Sequence, residues 1–227
     1  MKIILILVAY LVYVIFWGRF FLHALVWCRA SKESGILSVD TPHSSFKVCA
    51  LMAMDLIFFR RLFTTDKLAW LGSWTFHVTF FLVVLRHLKY FMNPVPGWIA
   101  CIQPVGLVAG YVLPVSLAYI FILRITGRDN YVSYYNFFLL GILLLISITG
   151  LLMRNFFMVD VVAAKEFVLG ILAFSPVAMP GGFQFFIHFF LVLLLVLYLP
   201  LHIFTAPIVT MEARRREEGL NMVMHEK

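Results

Sequence analysis

Four histidines fall in two of the most apolar stretches of the chain. His77 and His87 lie in TFHVTFFLVVLRHLKYF (75–91), and His188 and His202 bound HFFLVLLLVLYLPLH (188–202). Imidazole binds metals through a neutral ring nitrogen and moves protons near neutral pH. Titratable groups in oily helices are costly and usually mark a site or a pathway. His77 and His87 are separated along an ideal helix by about 15 Å and about 80°, and His188 and His202 by about 21 Å and about 40°. Each pair can therefore look toward one interior seam. If the two helices pack antiparallel, His77 comes level with His202 and His87 with His188, giving two facing pairs. The mismatch of about 6 Å is absorbed by tilt or bending, and Pro200 supplies a local kink just before His202.

Two facing imidazoles can hold a haem iron from both sides, making a six-coordinate electron-transfer centre with no open position. Two such centres would carry electrons across a thickness too great for one efficient jump. Zinc wants four ligands in one tetrahedron, which rows about 15 Å apart cannot supply. A proton relay would be expected to use carboxylates, and neither helix holds an Asp or Glu at depth. Four independent structural histidines are the plain alternative. Of the other three, His43 and His225 sit in polar segments. His23, one turn from Arg19, reads as a hydrogen-bonding core residue.

The elements that position these histidines follow from composition. The chain is 63% hydrophobic and only 13% charged over 227 residues, outside the range of a soluble globular domain. Residues 3–28, 68–92, 132–153 and 184–209 are long enough to cross a bilayer core of about 30 Å. A fifth span, 104–124, contains Pro114, which membrane helices tolerate where neighbours re-satisfy the freed carbonyl. The expectation is an all-α, single-domain bundle of five transmembrane helices. Its first span reads as a membrane helix rather than a cleaved leader, because no small-x-small site precedes RASKESG.

Basic residues orient the bundle. Twelve lie on one side: Arg29, Lys32, Lys47, Arg60, Arg61 and Lys67 in the first connection, Arg124 and Arg128 in the next, and Arg214, Arg215, Arg216 and Lys227 in the tail. Lys2, Arg86, Lys89, Arg154 and Lys165 lie on the other. The N-terminus is then outside and the C-terminus, with the tail 210–227, cytoplasmic, in a cell (inner) membrane. The net charge of +7 reflects this topology and anionic lipid, and no nucleic-acid surface of interleaved basic and aromatic residues is present. Cys28, Cys49 and Cys101 share no close spacing, so the chain has no thiolate cluster for zinc or iron–sulfur. Residues 48–63, with Asp55 inside and Arg60 and Arg61 at the end, suit an interfacial amphipathic helix, either a packing element or a platform for a cytoplasmic partner. VDVVAAKEFVLGILAF, broken by SPVAMPGGF, reads as a half-apolar helix that covers an outer-leaflet pocket or lies on the membrane.

LGSWTFHVTFFLVVLRH and HFFLVLLLVLYLPLHIFTAPI resemble the histidine-bearing helices of the respiratory nitrate reductase gamma-subunit family of di-haem cytochromes b. That family includes membrane cytochrome subunits of sulfate reducers' redox complexes, such as those tied to dissimilatory sulfite reductase or the high-molecular-weight cytochrome c. The resemblance implies two bis-histidine haems b, an inner one on His77 and His202 and an outer one on His87 and His188. It also implies quinone (menaquinone or another) as a substrate near the outer haem, with Arg86, Lys89 and Gln103 as candidate contacts. Arg86 could equally neutralise a haem propionate or snorkel to the interface. One departure is the compact LPLH, which brings the helix-5 histidines about one turn closer than in nitrate reductase and turns their facing direction by only about 40°.

The resulting expectation is an electron-transfer subunit of an oxidoreductase complex. It would join the quinone pool or an outer-face cytochrome c to a cytoplasmic iron–sulfur subunit, alongside other membrane subunits. Two other classes compete: a proton or metal transport subunit, and a haem-free scaffold of a membrane complex. The first lacks paired acidic residues and inverted repeats, and haem content separates the second.

Overall fold

The computed structural model describes residues 2–33, 45–126 and 134–200. His202, His43 and His225, the end of the fifth span (201–209) and the tail 210–227 lie outside the described residues. Among the described residues the chain is all helical: α1 (Lys2–Glu33), α2 (Ser45–Phe58), α3 (Arg60–Thr65), α4 (Lys67–His87), α5 (Gly97–Ile125), α6 (Tyr134–Asn155), α7 (Val161–Leu172) and α8 (Phe183–Pro200). A 3-10 turn, Leu88–Tyr90, extends α4. Five of these helices, α1, α4, α5, α6 and α8, are long and apolar enough to cross a membrane.

Element bounds differ from the sequence expectation at two places. The interfacial helix 48–63 is two helices, because Phe59 at φ 48° adopts the left-handed region and breaks the chain between α2 and α3. The third span begins at Gly97 rather than at 104, so Pro104 lies inside α5 along with Pro114. A proline in a helix strands the carbonyl four residues earlier. Close to Pro104, the Gln103 side-chain amide donates to the Ile99 carbonyl, 3.2 Å away.

The chain divides into two compact units, one drawn from Met1–Tyr13 and Leu71–Leu197, the other from Val14–Trp70 and Tyr198–Lys227. In the second, Asp55 is buried and its Oδ2 lies 3.6 Å from Arg61 Nε. Trp70 donates its indole N–H to the Phe58 carbonyl at 2.7 Å and packs edge-on against Phe63. Asp66 caps the start of α4 by accepting from the Leu68 and Ala69 amides.

The first unit holds three of the four singled-out histidines. Here α4 and α5 run antiparallel and meet at glycines near both ends. Gly72 of α4 lies against Tyr119 and Ile120, and Gly106 of α5 against Arg86 and Leu82. The next contact is between α5 and α6, sealed at one end by the Tyr111 hydroxyl donating to Asn155 Oδ1 at 2.8 Å. Leu5, Ala9 and Val12 of α1 bury against Leu193 of α8.

Across one end of these helices lies α7. Asp160 starts it by accepting from the Val162 and Ala163 amides, a cap worth about 1 kcal/mol. Its apolar face, Ala164 and Phe167, packs on Phe185 and Phe189 of α8, on Tyr90 beyond α4, and on Met153 of α6. The helix ends in a paired turn, Ser175 N–H to the Gly170 carbonyl and Phe174 N–H to the Ile171 carbonyl, with Phe174 at φ 55° where glycine is usual. The Phe174 ring stacks on Tyr10 at 5.4 Å. A methyl group added at Gly170 would lie 2.8 Å from the Ser175 carbonyl oxygen and 3.2 Å from the Val177 nitrogen. Both are backbone atoms that cannot rotate away. We expect Gly170→Ala to destabilise the protein by about 1–3 kcal/mol in a denaturant titration in detergent. Gly141→Ala, in open space, serves as the control and should be neutral or stabilising by up to about 1 kcal/mol.

Candidate functional site

In an α-helix the side chain leans back toward the N-terminus, over the preceding turn. His77 and His87 both exploit this. His77 Nδ1 is 2.7 Å from the Ser73 carbonyl oxygen, and His87 Nδ1 is 2.7 Å from the Val83 carbonyl oxygen. A carbonyl only accepts, so in each ring the proton sits on Nδ1 and the lone pair on Nε2. That is the tautomer a metal-binding histidine uses, with its second nitrogen held by a fixed acceptor.

His188 reaches the same state by another route. Its Nδ1 lies 2.9 Å from Thr149 Oγ1 on α6. The threonine hydroxyl has one proton and is 2.9 Å from the Leu145 carbonyl and 3.0 Å from that of Ile146. With its proton on one of these carbonyls, it accepts from His188 Nδ1–H. Beside it, Gly150 leaves room for the ring, since a Cβ there would stand 3.4 Å from His188 Cε1. Thr149 and Gly150 form a seat that fixes the imidazole from a neighbouring helix. Sequence reasoning missed both residues. A Thr–Gly pair in the apolar run ISITGLL is the signal, but its partner is 39 residues away and is not written in the local pattern.

The structure brings His87 and His188 close enough to interact electrostatically. The His87 side chain is exposed. The His87 ring lies 5.8 Å from that of Tyr90, and Tyr90 packs against the cluster formed by Ala164 and Phe167 of α7 with Phe185 of α8. The helical segment expected to cover a pocket is thus in contact with helices α6 and α8 beside this pair. His77 lies further along α4, with its ring 4.5 Å from that of Phe76. Its expected partner, His202, lies outside the described residues.

Arg86 adjoins His87. Its stem packs against Gly106, where a Cβ would come within 2.7 Å of Arg86 Cβ and 3.0 Å of Cδ. The Gln103 amide donates to the Arg86 carbonyl at 3.3 Å. Among the described residues no group of three or more His, Cys, Asp or Glu side chains is arranged to hold a metal ion. A paired-imidazole site needs only two.

The donor set fits a haem iron: His87 and His188 come from separate helices, each with Nδ1 within hydrogen-bond distance of an oxygen, which leaves Nε2 for the metal. The surrounding side chains are aromatic and aliphatic, as a porphyrin face requires.

The chain is similar to two proteins named Hdr-like menaquinol oxidoreductase cytochrome b-like subunit. The one from Archaeoglobus profundus is 26% identical over 199 residues, covering 74% of this chain and 59% of that protein. The one from Archaeoglobus fulgidus is 26% identical over 190 residues, covering 71% of this chain and 57% of that protein. The chain spans under three fifths of the length of these relatives. No family model matches it, and no solved structure matches it. With five apolar helices and this similarity, it is a multi-pass membrane protein akin to cytochrome b-like subunits.

Proposed function

We propose that this protein is a di-haem b-type cytochrome subunit of the kind found with respiratory nitrate reductase and related redox complexes. It carries electrons across a cell membrane between menaquinone, or an outer-face cytochrome c, and a cytoplasmic iron–sulfur partner. One observation carries the reading: His87 and His188, on separate helices, lie within electrostatic reach of each other, and the Nδ1 of each is engaged by an oxygen. The names of the archaeal relatives support the quinone and the electron-transfer role.

A haem held there supplies one-electron storage with no open coordination position. The protein's own part is to hold the two rings in one tautomer, to line the space with apolar surface, and to exclude water with α7. His77, prepared in the same way by Ser73, is assigned with His202 to the inner haem, and the pair His87–His188 to the outer one. The placement of these two sides rests on twelve basic residues against five and the positive-inside rule.

The test is a dithionite-reduced minus oxidised spectrum, with haem extraction, of the full chain purified from membranes. A b-type alpha band and about two haems per chain are expected, and a protein free of haem sinks the proposal. Thr149 gives a sharper check. By accepting from Nδ1–H it makes the His188 ring a stronger donor and favours the oxidised iron. We expect Thr149→Val to raise the midpoint potential of one haem and leave the other unmoved. A fall, or equal shifts in both, would contradict the assignment of His188 as a ligand.

A further inference from the structure

The end of α4 beside His87 gathers positive charge that no carboxylate among the described residues pairs with. Arg86 and Lys89 lie on α4 and the turn that follows it, and Arg154 lies at the end of α6. All three are within electrostatic reach of one another. The tertiary structure pins them there, with Gly106 seating the Arg86 stem against α5 and Tyr111 of α5 bonding Asn155, the neighbour of Arg154. Opposite charge is missing. The other ionisable neighbours of Arg86 are Tyr90, Tyr111 and His87, none of which is an anion at pH 7. Among the described residues the one ion pair is that of Asp55 with Arg61, in the other unit. Asp160 of the adjoining loop spends its carboxylate capping α7, and Glu166 on α7 is exposed.

Arg86 is half-buried, and its Nε is buried with no hydrogen-bond partner. A buried donor without an acceptor is a cost that native structures rarely retain without reason. Guanidinium groups are shaped for two-oxygen acceptors such as carboxylate and phosphate.

We infer that Arg86, Lys89 and Arg154 form a seat for an oxyanion beside the His87–His188 pair. The oxyanion is a carboxylate of the haem held by that pair or the phosphate of a membrane lipid. The first source rests on the proposed haem function, whereas the second does not. Arg154 is the decisive member, because it comes from a different helix and carries no packing role comparable to that of Arg86.

The experiment compares Arg154→Gln, Arg86→Gln and Lys89→Gln full-length proteins with the parent. Lys165→Gln, whose amine bonds Asn93 rather than the seat, is the charge control and Arg154→Lys the conservative variant. Each is reconstituted in nanodiscs of phosphatidylcholine with or without phosphatidylglycerol. Potentiometric titration reads the haem potentials, and native mass spectrometry reads retained phosphatidylglycerol. If the seat takes a haem carboxylate, removing a positive charge lowers the potential of the His87–His188 haem alone, and Arg154→Lys restores it. If it takes lipid phosphate, the potentials stay fixed and retained phosphatidylglycerol is lost. Variants that are folded by circular dichroism and change neither reading overturn the seat. A parent protein without haem refutes the proposed function, and the lipid reading still decides the seat.

Discussion

Replacing His87 or His188 with alanine removes the same haem, and replacing both removes no more than either alone. Each single variant should lose about half of the b-type alpha band, with about one haem per chain remaining. The reason is the shared iron: with one imidazole gone, the other has no bis-histidine centre to complete, so the effects of the two changes cannot add. His77→Ala should remove the other half. If His87→Ala and His188→Ala instead deplete different haems, with the double variant losing both, the pairing across α4 and α8 is wrong. The electrostatic interaction between the two groups and the oxygen partner at each Nδ1 make the shared outcome the expected one.

Truncating Phe167 should be the most damaging apolar change in α7. Its side chain is 0% exposed and meets Phe185 and Phe189 edge-on at ring distances of 5.8 and 5.4 Å. Phe→Ala at such a position costs about 3–5 kcal/mol from lost burial and the cavity left behind. The loss is concentrated where α7 joins α8 and the turn after α4. We expect Phe167→Ala to unfold at lower denaturant in detergent and to speed amide exchange in α7 and the start of α8. Phe167→Leu should recover much of the loss by refilling the volume. Val162, on the same helix but 64% exposed, should tolerate alanine within about 0.5 kcal/mol. Equal effects at 162 and 167 would mean that α7 rests on the surface without packing.

Much of the architecture was legible in composition alone. Runs of apolar residues long enough for a bilayer have one low-energy solution, the helix that satisfies its own backbone, so the five spans could be read directly. Helix starts were legible where a carboxylate stood at the right place, as Asp160 does before α7. Breaks that depend on a single dihedral were not. Phe59 and Phe174 adopt positive φ, although nothing in a phenylalanine announces that, since the surrounding packing imposes it. Pro104 read as the start of its span and instead lies within the helix, because a long helix gains more from continuing than one lost hydrogen bond takes away.

For the candidate site the division has the same origin. Four imidazoles at helical spacing in apolar runs are a property of the sequence, and so are their expected chemistry and the face each presents. What the tertiary structure decided is which groups hold those rings and what lies around them. Ser73 and Val83 are one turn from their histidines and follow from helix geometry. Thr149 and Gly150 come from another helix, as does Arg154 beside Arg86. Sequence patterns encode periodicity along one helix, whereas contacts between helices depend on how small residues such as Gly72, Gly106 and Gly150 let two backbones approach. The spacing of the histidines could therefore be read from the chain, and the groups around His87, His188 and Arg86 only from the fold.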